Sequence, residues 1–150
     1  MSWQARKRLF KIQAFRQYSL SCMLAMIGNG LSYIAMTWMV LQFHNSITSV
    51  VIVMFAFWLP SVILGPFAGV IVDRVSRKVL FCRINHLRGV LLVALGVIEI
   101  YHPSLDAIYW MSLLQGILFS FVLPVVISMI REIVPEADLL MANATVDIAY

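Results

Sequence analysis

The charged side chains with the clearest chemical logic are crowded into Gly69-Val-Ile-Val-Asp73-Arg74-Val-Ser-Arg77-Lys78, directly after a long apolar run. Their chemistry is charge pairing. A carboxylate at the C-terminal end of a helix faces the negative end of the helix dipole, so Asp73 is unfavourable unless a cation or the start of another helix meets it. Ser61, Gly65, Gly69 and Asp73 recur every four residues, which lines them up as a small-residue ridge that another helix can approach closely. Within the chain, the partners in reach are Arg131 for Asp73, and Glu132, Glu136 or Asp138 for Arg77, because these groups follow a later apolar run and would share one end of a bundle. The alternative is a basic anchor that happens to carry one acid.

A second set of polar residues lies inside the apolar runs themselves. Arg88 follows Lys78 by about ten residues, some 15 Å along a helix at 1.5 Å per residue, which is deep for a side chain that merely reaches back to the headgroups. Asn85 shares its face at i−3, so the pair would face a bundle interior or a water-filled entrance and meet an acid or an anionic solute there; a locally thin bilayer is the competing explanation. Cys22, Asn29 and Tyr33 fall within about 20° of one line on their helix. Ser112, Gln115 and Phe119 form a comparable face on another. Asn29, Tyr33, Asn85, Arg88 and Gln115 are therefore candidates for a cavity wall that holds a small molecule, or they hydrogen-bond neighbouring helices for about 0.6 kcal/mol each.

Enzyme chemistry finds no such support. The sequence contains no H-E-x-x-H, no Cys and His set at zinc spacing, no G-x-S-x-G and no phosphate-cradling loop, so neither a metal nor another cofactor is expected. His44, His86 and His102 are scattered over three segments without second and third catalytic partners.

What must position these residues follows from composition. Of 150 residues, 62% are hydrophobic and 12% charged, against about 45–50% and about 25% in soluble domains. A soluble core of this size could not hide that surface, whereas four membrane spans would use roughly 80 to 96 residues. The pattern places spans at about 18–42, 48–72, 79–100 and 107–130, and the start of a fifth helix at 139–150, giving an all-α integral membrane protein in contact with the lipid bilayer. The run from Tyr18 is too long for a cleavable signal sequence. Before it, residues 1–17 form a basic leader in which Trp3, Leu9, Phe10, Ile12 and Phe15 alternate with cations. This leader would lie at the lipid surface or fray.

All eleven Lys and Arg fall on one side of these spans: Arg6, Lys7, Arg8, Lys11 and Arg16 in the leader, five between Arg74 and Arg88, and Arg131. Under the positive-inside rule, the N-terminus and the 73–78 joint are cytoplasmic, with His44 and residues 102–106 outside. That segregation accounts for the net charge of +4 without a nucleic-acid surface. Cys22 and Cys82 lie toward the reducing side and are expected to serve as packing residues rather than as a disulfide.

The joint resembles the loop between the second and third helices of the major facilitator superfamily, whose G-x-x-x-D-R-x-x-R-[RK] signature is matched at Gly69, Asp73, Arg74, Arg77 and Lys78. Residues 28–38 (GNGLSYIAMTW) and 134–144 (VPEADLLMANA) are similar to the bacterial enterobactin-exporter and macrolide-efflux branch. The resemblance covers almost the whole chain. It implies the N-terminal part of a twelve-helix secondary active transporter in the bacterial inner membrane, exporting a small amphipathic solute by alternating access. It also makes the joint a latch, with Asp73 meeting a helix of a second half. Relatives often carry acids where Asn29 and Asn85 stand here, and neither asparagine can titrate. Two other readings remain open: a lipid or lysolipid translocator of the same fold, and a non-transporting four-helix subunit. The chain alone is expected not to move substrate, because rocking about a midplane site needs two opposed repeats.

Overall fold

The computed structural model describes residues 9–147. The leader positions Trp3, Arg6, Lys7 and Arg8, and the last residues of the expected fifth helix, 148–150, lie outside the described residues, as does the side chain of His44.

The described chain is helical and contains no strand. It runs through α1 (Gln13–His44), α2 (Ile47–Val72), α3 (Arg77–Tyr101), α4 (Leu105–Phe119), α5 (Val122–Ile133), a single 3₁₀ turn (Glu136–Asp138) and α6 (Leu139–Asp147). Among the described residues, four stretches are long and apolar enough to cross a membrane: Gln13–Gln42, Ile47–Val72, Arg77–Tyr101 and Leu105–Ile133. This is an all-α, multi-pass membrane protein.

Short joints force the spans to run up and down. Asn45 ends α1 in the left-handed region at φ 42, which asparagine tolerates, and Ser46 caps α2 by accepting from the Ser49 N–H. Between α3 and α4, Glu99 is folded back so that Oε1 accepts from Ser104 N at 3.4 Å, placing a carboxylate at the positive end of α4. The fourth span, expected to be unbroken over 107–130, is interrupted at Ser120 and Phe121. Pro124 explains the break: it has no N–H for the Ser120 carbonyl four residues earlier, and its ring crowds that carbonyl.

On α1 the orientation is inside-out relative to a soluble helix. Leu20, Leu24, Ile27, Leu31, Ile34 and Trp38 are all more than half exposed and recur at steps of three and four, forming a stripe for lipid. The buried stripe, Phe15, Tyr18, Cys22, Met36 and Val40, repeats on the opposite side. Residues 9–17 do not lie apart from the bundle: Leu9 and Phe15 are fully buried with Tyr18, Val72, Val126 and Ile130 in a core at the end that carries the basic residues. Two large apolar side chains gain more from that core than from a headgroup layer. A second core, built from Met36, Val40, Val53, Phe57, Leu95 and Ile108, fills the other end.

Candidate functional site

A polar layer separates these two cores, and its residues come from three helices. On α1, Asn29 lies between Cys22 and Met36; on α3, Arg88 lies between Ile84 and Leu95; on α4, Gln115 follows Ile108. The Arg88 guanidinium joins them, with Nε donating to Gln115 Oε1 at 3.0 Å and Nη2 donating to Asn29 Oδ1. Gln115 Nε2 donates back to the Arg88 carbonyl at 2.9 Å, and the Phe119 ring centroid sits 5.2 Å from Arg88 Cζ. Arg88 is only 6% exposed, so it faces the bundle interior and not the headgroups. Interhelical bonds of this kind hold a charge in the membrane by surrounding it with amide dipoles.

Tyr33 belongs to the aromatic neighbourhood beside this layer. Its ring meets Phe57 edge-on at 5.9 Å, and Phe57 in turn meets Phe119 at 5.4 Å. Ser112 is fully buried, donating to the Ile108 carbonyl at 2.7 Å and lying 3.4 Å from Met36 Sδ. Asn85 spends its side-chain N–H on the Phe81 carbonyl of its own helix, at 3.0 Å.

Three of the five cavity candidates open onto one space. A groove of about 540 Å³ between α1 and α3 is lined by Asn29, Asn85 and Arg88, together with Leu24, His86 and Leu92 among others. Gln115 stands behind Arg88, and Tyr33 is turned toward Phe57; neither lines the groove. Cys82, expected to pack, is exposed at its edge, whereas Cys22 is buried as expected.

The basic end carries the charged joint. Arg77 Nη1 donates to Glu132 Oε1, tying the start of α3 to the end of α5 across 55 residues of sequence. Asp73 is exposed and lies 3.8 Å from Arg77, one turn away. No ion pair joins Asp73 to Arg131 among the described residues. Both instead border a second groove, of about 400 Å³, whose walls are Ser61, Gly65, Gly69 and Asp73 on α2 and Leu123, Pro124, Ile127 and Arg131 on α5. A Cβ at Gly65 or Gly69 would meet nothing within 4 Å, so the ridge is not in close contact with any described helix. Arg74 and Lys78 are exposed in the joint, Glu136 is exposed on the 3₁₀ turn, and Asp138 is half-buried there. Lys78 and Glu132 also border a smaller pocket with Tyr18, whose hydroxyl donates to the Val126 carbonyl at 2.8 Å.

Compared with models of protein families, residues 18–150 match the Major Facilitator Superfamily. The chain belongs to that superfamily. No curated protein and no solved structure matches it. Membership makes this a membrane transporter of the major facilitator type, and the members of that superfamily are generally transporters rather than enzymes.

In this superfamily member, one position with a steric requirement escaped the sequence reading. A Cβ at Gly116 would lie 2.2 Å from the Phe57 carbonyl oxygen and 3.0 Å from that of Ala56. Here α2 and α4 touch backbone to backbone. Pro60 contributes, since it has no N–H to offer the Ala56 carbonyl, leaving that oxygen for the approach of α4. The signal was present as Gly116 beside Gln115, but a lone glycine carries no spacing pattern.

Proposed function

We propose that this protein is the N-terminal portion of a secondary active transporter that exports a small amphipathic solute by alternating access across a bacterial inner membrane. What carries the reading is membership of the superfamily over residues 18–150, joined to a charged α2–α3 joint that is already hooked to α5 through Arg77 and Glu132. The 28–38 and 134–144 stretches support the enterobactin-exporter and macrolide-efflux branch, and with it outward transport.

The open groove beside Gly65 and Gly69 supports a latch that takes a further helix of the same transporter. Asp73 on one wall and Arg131 on the other offer that helix opposite charges, and the small ridge offers close approach. Making and breaking these contacts biases the two end states, because a contact that differs between states is what shifts an equilibrium.

Two measurements test this. In the complete transporter, Asp73→Asn is expected to lower efflux of an amphipathic dye about tenfold with unchanged membrane abundance, within the 1–3 kcal/mol typical of coupling between sites. Equal losses of efflux and abundance would mean that Asp73 serves folding only. The 150 residues alone are expected to give no flux in vesicles, and flux above protein-free vesicles would overturn the need for a second half.

Topology is tested by thiol labelling. The segregation of Lys and Arg places Ser76 in the cytoplasm and Ser104 outside. In a background lacking Cys22 and the exposed Cys82, a cysteine at Ser104 is expected to react with an impermeant reagent on intact cells, and one at Ser76 is not. The reverse pattern inverts the protein.

A further inference from the structure

We propose that the groove between α1 and α3 binds a single-chain amphipathic carboxylate, its head against Arg88 between Asn29 and Asn85 and its chain along Leu24 and Phe81. The inference rests on the transporter reading and names the substrate class of that same cavity.

Three observations converge on this ligand. Among the described residues, the groove lining contains Arg88 and His86 and no aspartate or glutamate, so its field favours an anion. Its volume, about 540 Å³, falls within the range of small-molecule sites and suits one acyl chain better than a two-chain lipid. Beyond the amides of Asn29 and Asn85, toward the starts of α1 and α3, the lining includes the apolar side chains of Leu24, Ala25 and Phe81. A solute with one polar end and one apolar tail matches that arrangement.

The head group follows from Arg88 itself. Eleven residues into α3, it sits about 16 Å from the helix start, near the middle of a core of about 30 Å. A planar guanidinium pairs best with a planar carboxylate, and a monoanion neutralises one charge where a dianion would leave an excess in low dielectric. Gly28 and Gly89 keep the groove open, since a Cβ at either would meet nothing within 4 Å.

The test is binding of dodecanoate to the full 150-residue chain in phosphatidylcholine nanodiscs at pH 8, followed by calorimetry, with dodecanol and dodecylammonium as comparisons. Dodecanoate is expected to bind at least about tenfold more tightly than either. Gly89→Leu fills the groove from the open side of α3, where a Cβ meets nothing within 4 Å, and is expected to remove binding while leaving the thermal transition unchanged. Asn29→Asp sets a carboxylate on Arg88 from within, and is expected to compete with the ligand and weaken binding at least about tenfold, again in a folded protein. Equal binding of dodecanol, or binding unaffected by Gly89→Leu, would overturn the proposal. So would displacement of dodecanoate by phosphatidylglycerol added to the bilayer, which would assign the groove to a resident lipid. These outcomes are independent of flux: failure of the transporter reading shows as absent efflux of every solute, whereas failure here shows as lost selectivity for the anion.

Discussion

Gly116→Ala is expected to destabilise the bundle by roughly 1–3 kcal/mol, and Gly116→Leu to prevent its assembly. Alanine ordinarily gains about 1 kcal/mol over glycine inside a helix, so the usual sign of this substitution is stabilising. Here the new methyl would sit 2.2 Å from a backbone oxygen of Phe57, and a backbone carbonyl in a packed helix cannot swing aside as a side-chain end can. Either α4 retreats from α2, opening the contacts of Phe57 and Ile108 in the core they share with Met36 and Val53, or the helix turns deform; each costs more than the propensity returns. Gly65→Ala and Gly69→Ala are the controls. Both face open space and are expected to melt at or above the wild-type temperature in detergent. Wild-type melting of Gly116→Ala alongside a destabilised Gly65→Ala would show that the ridge, and not Gly116, is the close contact within this chain.

Those glycines show where a sequence is legible and where it is not. The four spans were readable because a membrane core demands about 20 consecutive apolar residues, a one-dimensional requirement. The inward face of α1 was also readable, through Cys22, Asn29 and Tyr33, since polar residues mark the interior when lipid covers the rest. Spacing could not reveal which polar residues meet. Asn29 and Arg88 are 59 residues apart, and only the packing of α1 against α3 and α4 brings them together. Asn85, the neighbour expected to work with Arg88, turns its amide to its own helix while still lining the groove. The interruption at Ser120 was visible in principle as Pro124, but apolar composition on both sides of it made one continuous span the simpler reading. The pairing of Arg77 was narrowed to three acids by their shared end of the bundle, and geometry selects Glu132, the one that still belongs to α5.

The α2 ridge illustrates a different limit. Small residues every four positions state that something can come close, without saying what. Within this chain α2 spends its closest contact at Phe57 and Gly116, a full two turns before Gly65, and leaves Gly65 to Asp73 facing a groove. The charged end of that groove, with Asp73 and Arg131 on opposite walls, is what turns an open surface into a candidate latch. Arg77 is then not free to serve Asp73 alone, because Glu132 already holds it, and a helix entering the groove would meet Asp73 at little cost in existing contacts.

Removing the guanidinium at the centre of the polar layer is the second large effect. Arg88→Leu is expected to cost about 2 kcal/mol, because it strips partners from two amide oxygens, Gln115 Oε1 and Asn29 Oδ1, that sit between apolar cores. In water-soluble proteins, bonds to a charged group reach about 1.5–3 kcal/mol each, but in membranes interhelical bonds average about 0.6 and peak near 1.7, since helices separated in lipid find other partners. Two bonds and the Phe119 contact at membrane values give roughly the figure stated. The size alone does not separate a network from lost packing, so the decisive quantity is the coupling. Arg88→Leu with Gln115→Leu is expected to cost less than the two single changes together by about 1 kcal/mol or more, because the double variant leaves neither an unpaired guanidinium Nε nor an unpaired Gln115 Oε1. Strict additivity in a denaturation series would mean that the side chains are merely adjacent. Arg88→Lys separates charge from geometry: an ammonium keeps the positive field of the groove, but as a point charge it cannot hold Asn29 and Gln115 with one planar fork. It is therefore expected to keep part of the anion binding while losing most of the coupling to Gln115. The opposite split, coupling kept and anion binding lost, would assign Arg88 to architecture alone.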